Sequence, residues 1–238
     1  MEEVRKCRVY SRFVATRENG STVKLRIQDM PAESQMDVMD LFGNVYVKEE
    51  AVYKASGIYL NEESRAEVMQ LFQKMTGVLQ PLIMVCCLDD DTDAVGKIVG
   101  ASMMYLAEGI IDLSKFQVET KELKKLFEIA ANALYCYDVV KEHKVDKYYE
   151  DLGIVVHPDF RRLGIAKEFV RTRRLICKLD DVSMTGAWMT AFGTQKAGES
   201  DRWETVYELT FDELSKRFDV VFKDTPPTCK YMVAKVMN

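Results

Sequence analysis

Proline is scarce, with five residues in 238, of which only Pro226 and Pro227 are adjacent. No internal repeat or low-complexity tract occurs, and nothing reads as an interdomain linker, so one domain spanning 1–238 is expected. No apolar run approaches the roughly 20 residues that span a bilayer. Met1-Glu2-Glu3-Val4-Arg5-Lys6 lacks the basic-then-apolar signature of a secretion signal. The six cysteines (7, 86, 87, 136, 177 and 229) form no C-x-x-C pair and no disulfide-framework spacing. They read as buried free thiols in a reducing compartment, and the expected location is the cytoplasm. Positive charge is not in excess: the net charge of −5 argues against nucleic acid or an anionic membrane as the principal partner. The only histidines, His143 and His157, lie too far apart, with too few local partners, to propose a metal site. No Ser/His/Asp or Cys/His arrangement points to a covalent enzyme intermediate.

What is present is ordinary for a globular chain: 47% hydrophobic and 30% charged residues, and enough length to bury a substantial core. Val9 to Val14 and Val23 to Ile27 read as strands joined by the hairpin turn Glu18-Asn19-Gly20-Ser21, within a hairpin over about 6–28. Pro31 opens a helix to about Val45, with Met36, Met39 and Phe42 on one face. A helix from Glu62 to Leu79 carries Val68, Leu71, Phe72 and Met75 as a stripe. Strands Leu82 to Leu88 and Ile98 to Leu106 read as an antiparallel pair around the acidic run 89–93, a solvated loop able to attract a cationic amine. Cys86 and Cys87, adjacent in the first of these, point to opposite faces. A helix from about Thr120 to Val139 follows, with only a weak capping box because the acid sits at Glu122. Then come a strand from Tyr148 to Val156, a helix from Ile165 to Leu179, a strand from Met184 to Phe192, a short helix after Gly193, and strands near Thr205 to Phe211 and Tyr231 to Val236. The fold class is α/β, a central mixed sheet with helices on both faces. Met103, Met104 and Tyr105 read as sheet core.

The most informative stretch is Val155-Val156-His157-Pro158-Asp159-Phe160-Arg161-Arg162-Leu163-Gly164-Ile165-Ala166. An apolar strand ends at a proline turn, passes through a basic loop containing glycine, and opens into a helix. Such a junction aims several N–H groups and the positive end of a helix dipole at one point, which suits phosphate. His157, before proline, shapes the turn. In the helix, Ile165, Phe169, Thr172, Ile176 and Leu179 form a core face. Lys167, Arg171, Arg174 and Lys178 form a second stripe, read as solvated. Arg161, Arg162 and Lys167, near the helix start, are the better phosphate candidates.

This run resembles the acyl-CoA loop of the GCN5-related N-acetyltransferase superfamily, Arg/Gln-x-x-Gly-x-Gly/Ala. More narrowly, the chain resembles insect arylalkylamine N-acetyltransferases. The Leu-Phe…Glu-Glu-Ala-Val stretch after the first helix, the element order and Thr205-Val206-Tyr207-Glu208-Leu209 carry that likeness, which spans roughly 23–236; the N-terminal hairpin adds nothing to it. The resemblance implies the acetyltransferase fold and acetyl-CoA as co-substrate, without a metal. It also implies pyrophosphate on the amides of Arg161, Arg162, Leu163, Gly164, Ile165, Ala166 and Lys167, and pantetheine along Ile154, Val155 and Val156. The acceptor it implies is a small amine, an arylalkylamine or a polyamine, or else a protein amine.

An alkylamine with a pKa near 10 is neutral in only about one molecule in a thousand at pH 7, so the reaction needs a general base. A backbone amide near Val155 or Val156 is the expected oxyanion donor. The insect family places its base in a Glu-Pro-Leu motif, matched here by Glu50-Ala51-Val52, so the resemblance assigns Glu50. Because Ala51 and Val52 replace proline and leucine, Glu50 reads alternatively as an exposed helix-end glutamate, with Glu49 beside it. Asp151, expected by strand parity on the face of Gly153 and Val155, is another candidate base. Thr194 and Gln195 lie where the family has serines or a tyrosine, and Thr194 is expected to cap a helix. The altered motif also leaves open a non-catalytic acyl-CoA-binding or sensing module.

Overall fold

Val85 and Cys87 belong to one apolar core, and Met84 and Cys86 to another. This two-residue alternation is what a sheet covered on both sides requires. The computed structural model describes residues 7–236, so the signal reading of Met1 to Lys6 and the first residue of the expected hairpin lie outside the described residues. Eight strands form one sheet: β1 (Val9–Thr16), β2 (Thr22–Asp29), β3 (Leu82–Leu88), β4 (Ile98–Ala107), β5 (Tyr148–Val156), β6 (Met184–Met189), β7 (Glu204–Thr210) and β8 (Thr228–Lys235). Their spatial order is β1-β2-β3-β4-β5-β6-β8-β7, and every neighbouring pair is antiparallel except β5 with β6.

The first core lies under α1 (Gln35–Leu41), α3 (Ala51–Ala55), α4 (Glu62–Leu79), α5 (Lys121–Asn132) and α9 (Phe211–Phe218). The second lies under α7 (Ile165–Leu179), which also packs on α8 (Phe192–Ser200) through Val170 and Ala197. A mixed sheet with helices on both faces is therefore what the chain forms. The opposite orientation expected of Cys86 and Cys87 holds, and both are buried; Cys7 and Cys136 are exposed, so the reading of all six cysteines as buried is corrected.

Several element boundaries also differ. The helix expected from Pro31 continues as α1, a π-turn (Phe42–Tyr46) and α2 (Val47–Glu49), and breaks at Glu50. Met39 and Phe42 are buried but Met36 is exposed, because the core-facing stripe runs through Val38, Met39, Leu41 and Phe42. The helix expected over 120–139 stops at Ala133, whose φ of −135° leaves the helical region, and α6 (Val139–His143) starts afresh. Asp138 caps α6 by accepting from the Lys141 N–H, and the freed Leu134 carbonyl accepts from Trp188 Nε1 at 2.7 Å. Thr120 does cap α5, while Glu67 from α4, not Glu122, accepts its backbone N–H. Phe211, read as a strand end, opens α9 behind a full Thr210–Glu213 capping box. The strand expected to reach Phe192 ends at Met189, because Phe192 begins α8. In the acidic run, Asp90 to Asp93 are exposed, but Asp89 is buried against Arg12 and Arg26, which corrects its assignment to a solvated loop.

Candidate active site

Strand β5 carries one residue too many. Met103 pairs with Gly153 but Met104 pairs with Asp151, so Leu152 forms a β-bulge. Gly153 adopts φ +123°, and a Cβ there would lie 2.9 Å from the Tyr46 ring, so both backbone and space require glycine. The bulge reverses parity. Asp151 stands opposite Met104, on the α7 side, whereas Gly153 and Val155 stand opposite Met103 and Ala101, on the other. The expectation that Asp151 shares their face is thereby corrected.

The bulge coincides with a gap in the sheet. Only Tyr149↔Thr185 and Glu150↔Gly186 join β5 to β6, and beyond them the two parallel strands part. From residue 151 onward, the β6-facing edge of β5, including Ile154 to Val156, has no strand partner. Arg173, fully buried in α7, holds this corner. Its Nη2 lies 2.5 Å from Asp151 Oδ1 and donates to the carbonyls of Met103 and Gly153, while Nε and Nη2 both reach Ser102 Oγ. Asp151 Oδ1 also accepts from the Gly153 N–H at 3.0 Å. Asp151 is thus half of an ion pair that fastens the bulge.

The loop after β5 leads to the same gap. His157 caps the turn Pro158–Phe160, its Nδ1 accepting from the Asp159 N–H, as its place before proline suggested. Gly164 has φ +79° and caps α7 with nothing within 4 Å of where a Cβ would project. Among the described residues, no backbone N–H from 162 to 167 meets a protein acceptor outside the helix. The side chains of Leu163 and Ile165 are buried, so these residues offer only backbone to a ligand, and Ala166 packs against the α7–α8 core. Arg161 pairs with Glu49 and reaches the Val156 carbonyl, and Arg162 pairs with Glu18 of the β1–β2 turn. Lys167 is exposed and forms no ion pair among the described residues. The N-terminal hairpin therefore touches the loop; Arg17 also donates to the Asp159 carbonyl. Farther along α7, Leu179 is exposed and leaves the expected core face. Arg174, expected in a solvated stripe, is tied to Asp201 and the Lys235 carbonyl.

A cavity opens beside the bulge, walled by aromatic and apolar side chains that include Tyr53, Phe72, Phe127 and Trp188. Glu50 reaches it from the break between α2 and α3, where φ −61° and ψ 134° make it the N-cap of α3. Ala51 follows at the first helical position, where proline is favoured and alanine equally admissible. The Glu50 carboxylate accepts from the N–H groups of Val52 (2.8 Å) and Tyr53 (3.0 Å) through Oε2, and from Thr190 Oγ1 (2.7 Å) through Oε1. Desolvation raises its pKa, opposed by these three hydrogen bonds. It is not the exposed helix-end glutamate of the alternative reading. Glu49 is exposed, paired with Arg161, and does not line the cavity.

Glu150 lies deeper. Its Oε2 accepts from Tyr148 (2.8 Å) and Tyr231 (2.6 Å), and its Oε1 from the Asp151 N–H (2.9 Å). Burial pushes its pKa up to about 7 against those bonds. A carboxyl with a folded-state pKa above its unfolded value stabilises the fold below the unfolded value, and that contribution is lost as pH rises through about 7. Between pH 5 and pH 8, wild type should therefore lose on the order of 3 kcal/mol relative to Glu150→Gln. Urea denaturation of both proteins at the two pH values checks this, and a pH-independent difference would contradict it.

Three of these groups escaped the sequence reading. Thr190, not Thr194 or Gln195, supplies the hydroxyl near Glu50. Thr194 sits inside α8 and bonds the Ala191 carbonyl, Ala191 being the cap, and Gln195 is buried, tying α8 to Met189 and Thr228. Arg173 lies four residues after Phe169 and three before Ile176, a core-face spacing that could have identified it. For Glu150 the only available signal was its strand. Met103, Met104 and Tyr105 are buried in the sheet as expected, and Met103 also lines the cavity.

No protein-family model and no curated protein sequence matches the chain. Solved structures do. A protein assigned as arylalkylamine N-acetyltransferase 7 of the yellow fever mosquito Aedes aegypti superposes with a TM-score of 0.81 at 22% identity, over 100% of this chain and 98% of that one. The polyamine N-acetyltransferase of Drosophila melanogaster, which forms N-acetylagmatine, gives 0.66 at 10% identity, over 89% and 100%. The Salmonella typhimurium protein yncA, assigned as an acetyltransferase and solved with its cofactor acetyl-CoA, gives 0.51 at 7%, over 90% and 94%. With its parted β5 and β6 and its loop into α7, this chain has the fold of the GCN5-related N-acetyltransferases.

Proposed function

We propose that the chain, acting as one domain over 1–238, is an N-acetyltransferase that transfers an acetyl group from acetyl-CoA to a small amine by direct attack within a ternary complex. The observation that carries this reading is the convergence of three features at one gap: the unpaired edge of β5, the acceptor-free amides opening α7, and a glutamate in the adjoining cavity. A diphosphate fits the loop because six successive N–H groups lack an acceptor among the described residues and Gly164 leaves open space beside them. The amides of 162–167 would hold it, with Lys167 as the available cation and Arg161 after exchange from Glu49. The β5 edge at Ile154 to Val156 would align the pantetheine arm. When bound, acetyl-CoA supplies an activated thioester.

Glu50 is the general base. One acceptor site on Oε1 remains after the three hydrogen bonds it receives, and burial has raised its affinity for a proton. Thr190 and the two α3 amides hold the carboxyl in one rotamer, so it can take the ammonium proton directly or through a water. Amides at the β5 edge near Val155 and Val156 would donate to the carbonyl oxygen as negative charge develops on it.

A thiol-release assay with a panel of free amines and a lysine peptide tests the proposal. Turnover with a free amine is the expected result. Tight acetyl-CoA binding with no turnover on any acceptor would make the chain a binding module, and activity on the peptide alone would make it a protein acetyltransferase.

A further inference from the structure

Three carboxyl groups, those of Glu50, Glu150 and Asp151, line one cavity, and among the described residues no lysine, arginine or histidine lines it with them. The third acid there, Asp151, is already neutralised by Arg173. Glu50 and Glu150 are built alike. In each, Oε2 accepts two hydrogen bonds and Oε1 accepts one. A carboxylate offers about four acceptor positions, so each retains one, on Oε1. Buried acceptors without donors are costly, and a cavity with uncompensated negative charge repels any anionic ligand. Its aromatic walls, which include Phe72, Phe127, Tyr135 and Trp188, present electron-rich faces that favour a cation over a neutral polar group.

From this pairing we infer that the acceptor is a doubly cationic amine, an α,ω-diamine or amino-guanidine, with its reacting nitrogen at Glu50 and its second cationic end held by Glu150. The inference rests on the acetyltransferase reading and narrows it to one substrate class. Glu150 here determines specificity: it binds the end of the acceptor that does not react. Tyr148 and Tyr231 fix its carboxyl, and Gly186 makes room for Tyr231, whose hydroxyl lies 2.3 Å from where a Cβ on that glycine would stand. An ω-amino acid would place its carboxylate where Glu150 already stands and would be refused.

The test compares kcat/KM for four acceptors at saturating acetyl-CoA: a linear α,ω-diamine, the alkyl monoamine of the same chain length, an arylalkylamine and an ω-amino acid. The diamine should exceed the monoamine by about tenfold or more, the amino acid should be inert, and Glu150→Gln should abolish the diamine's advantage over the monoamine. An advantage for the monoamine or the arylalkylamine in the wild-type protein overturns the inference and leaves the acetyltransferase reading intact. This arm decides even if the variant does not fold. Inactivity toward all four, with acetyl-CoA binding retained in a thermal shift, would instead count against the acetyltransferase reading.

Discussion

Glu50→Gln is expected to lower kcat/KM for the acceptor amine by about 10²–10⁴-fold, the usual contribution of a positioned general base. Glutamine keeps a carbonyl oxygen for the Val52 and Tyr53 amides, so the α3 cap survives in part and the fold is retained. What it loses is the site on Oε1 that takes the proton. The pH profile supplies a second readout. A glutamate base at position 50 would work only when ionised, and burial raises the Glu50 pKa, so activity should climb with pH along a limb above the ordinary glutamate range. That limb should vanish from the residual activity of Glu50→Gln. A variant as active as wild type, or one that keeps the limb, rules Glu50 out as the base. The acetyl-CoA KM should change little, because Glu50 lies on the acceptor side.

The second large effect concerns stability. Arg173→Met should destabilise the fold by about 3–5 kcal/mol, the cost of removing one partner from a buried ion pair. Arg173 is fully buried, and its loss would strand Asp151, Ser102 Oγ and the carbonyls of Met103 and Gly153 at one point. The double variant Asp151→Asn with Arg173→Met should recover a measurable part of that loss, since no unpaired carboxylate remains. Urea denaturation of wild type, the two single variants and the double variant gives the coupling directly. A loss below about 1 kcal/mol in Arg173→Met would mean that the pair does not hold the bulge. Because the bulge lies where β5 parts from β6, folded Arg173 variants should also lose turnover rate.

The architecture was readable from local pattern. Strand β5 and helices α4 and α7 emerge with the boundaries that periodicity gives, and the loop into α7 stands where its glycine and proline place it. The failures have particular causes. Helix 120–139 was read through Ala133 because no proline or glycine marks the break, whose carbonyl is satisfied by a distant tryptophan. Helix α9 was missed because Thr205 to Phe211 reads as one β-rich run until the Thr210–Glu213 cap is recognised. Asp151 was placed on the wrong face because parity assumes an unbroken strand, and a bulge is invisible to it. Glu50 was legible only through resemblance. Its partner Thr190, 140 positions away, became visible only once the chain was folded. The cavity brings together α3, α4, α5 and β5, and so its charge balance cannot be read from any one segment.

The junction of β5 and α7 is the proposed seat of acetyl-CoA, and ligand-induced stabilisation measures that directly. Wild-type protein heated with acetyl-CoA at about 100 times its dissociation constant should gain about 2.7 kcal/mol, a melting-temperature rise of roughly 5–10 °C for a chain of this size. Gly164→Val should fold, since a Cβ meets nothing within 4 Å, although the φ of +79° costs about 1–3 kcal/mol for a branched residue. Its side chain projects beside the acceptor-free amides, so the rise should disappear. A Gly164→Val protein that is still stabilised by acetyl-CoA to the wild-type extent would place the cofactor elsewhere and contradict the account.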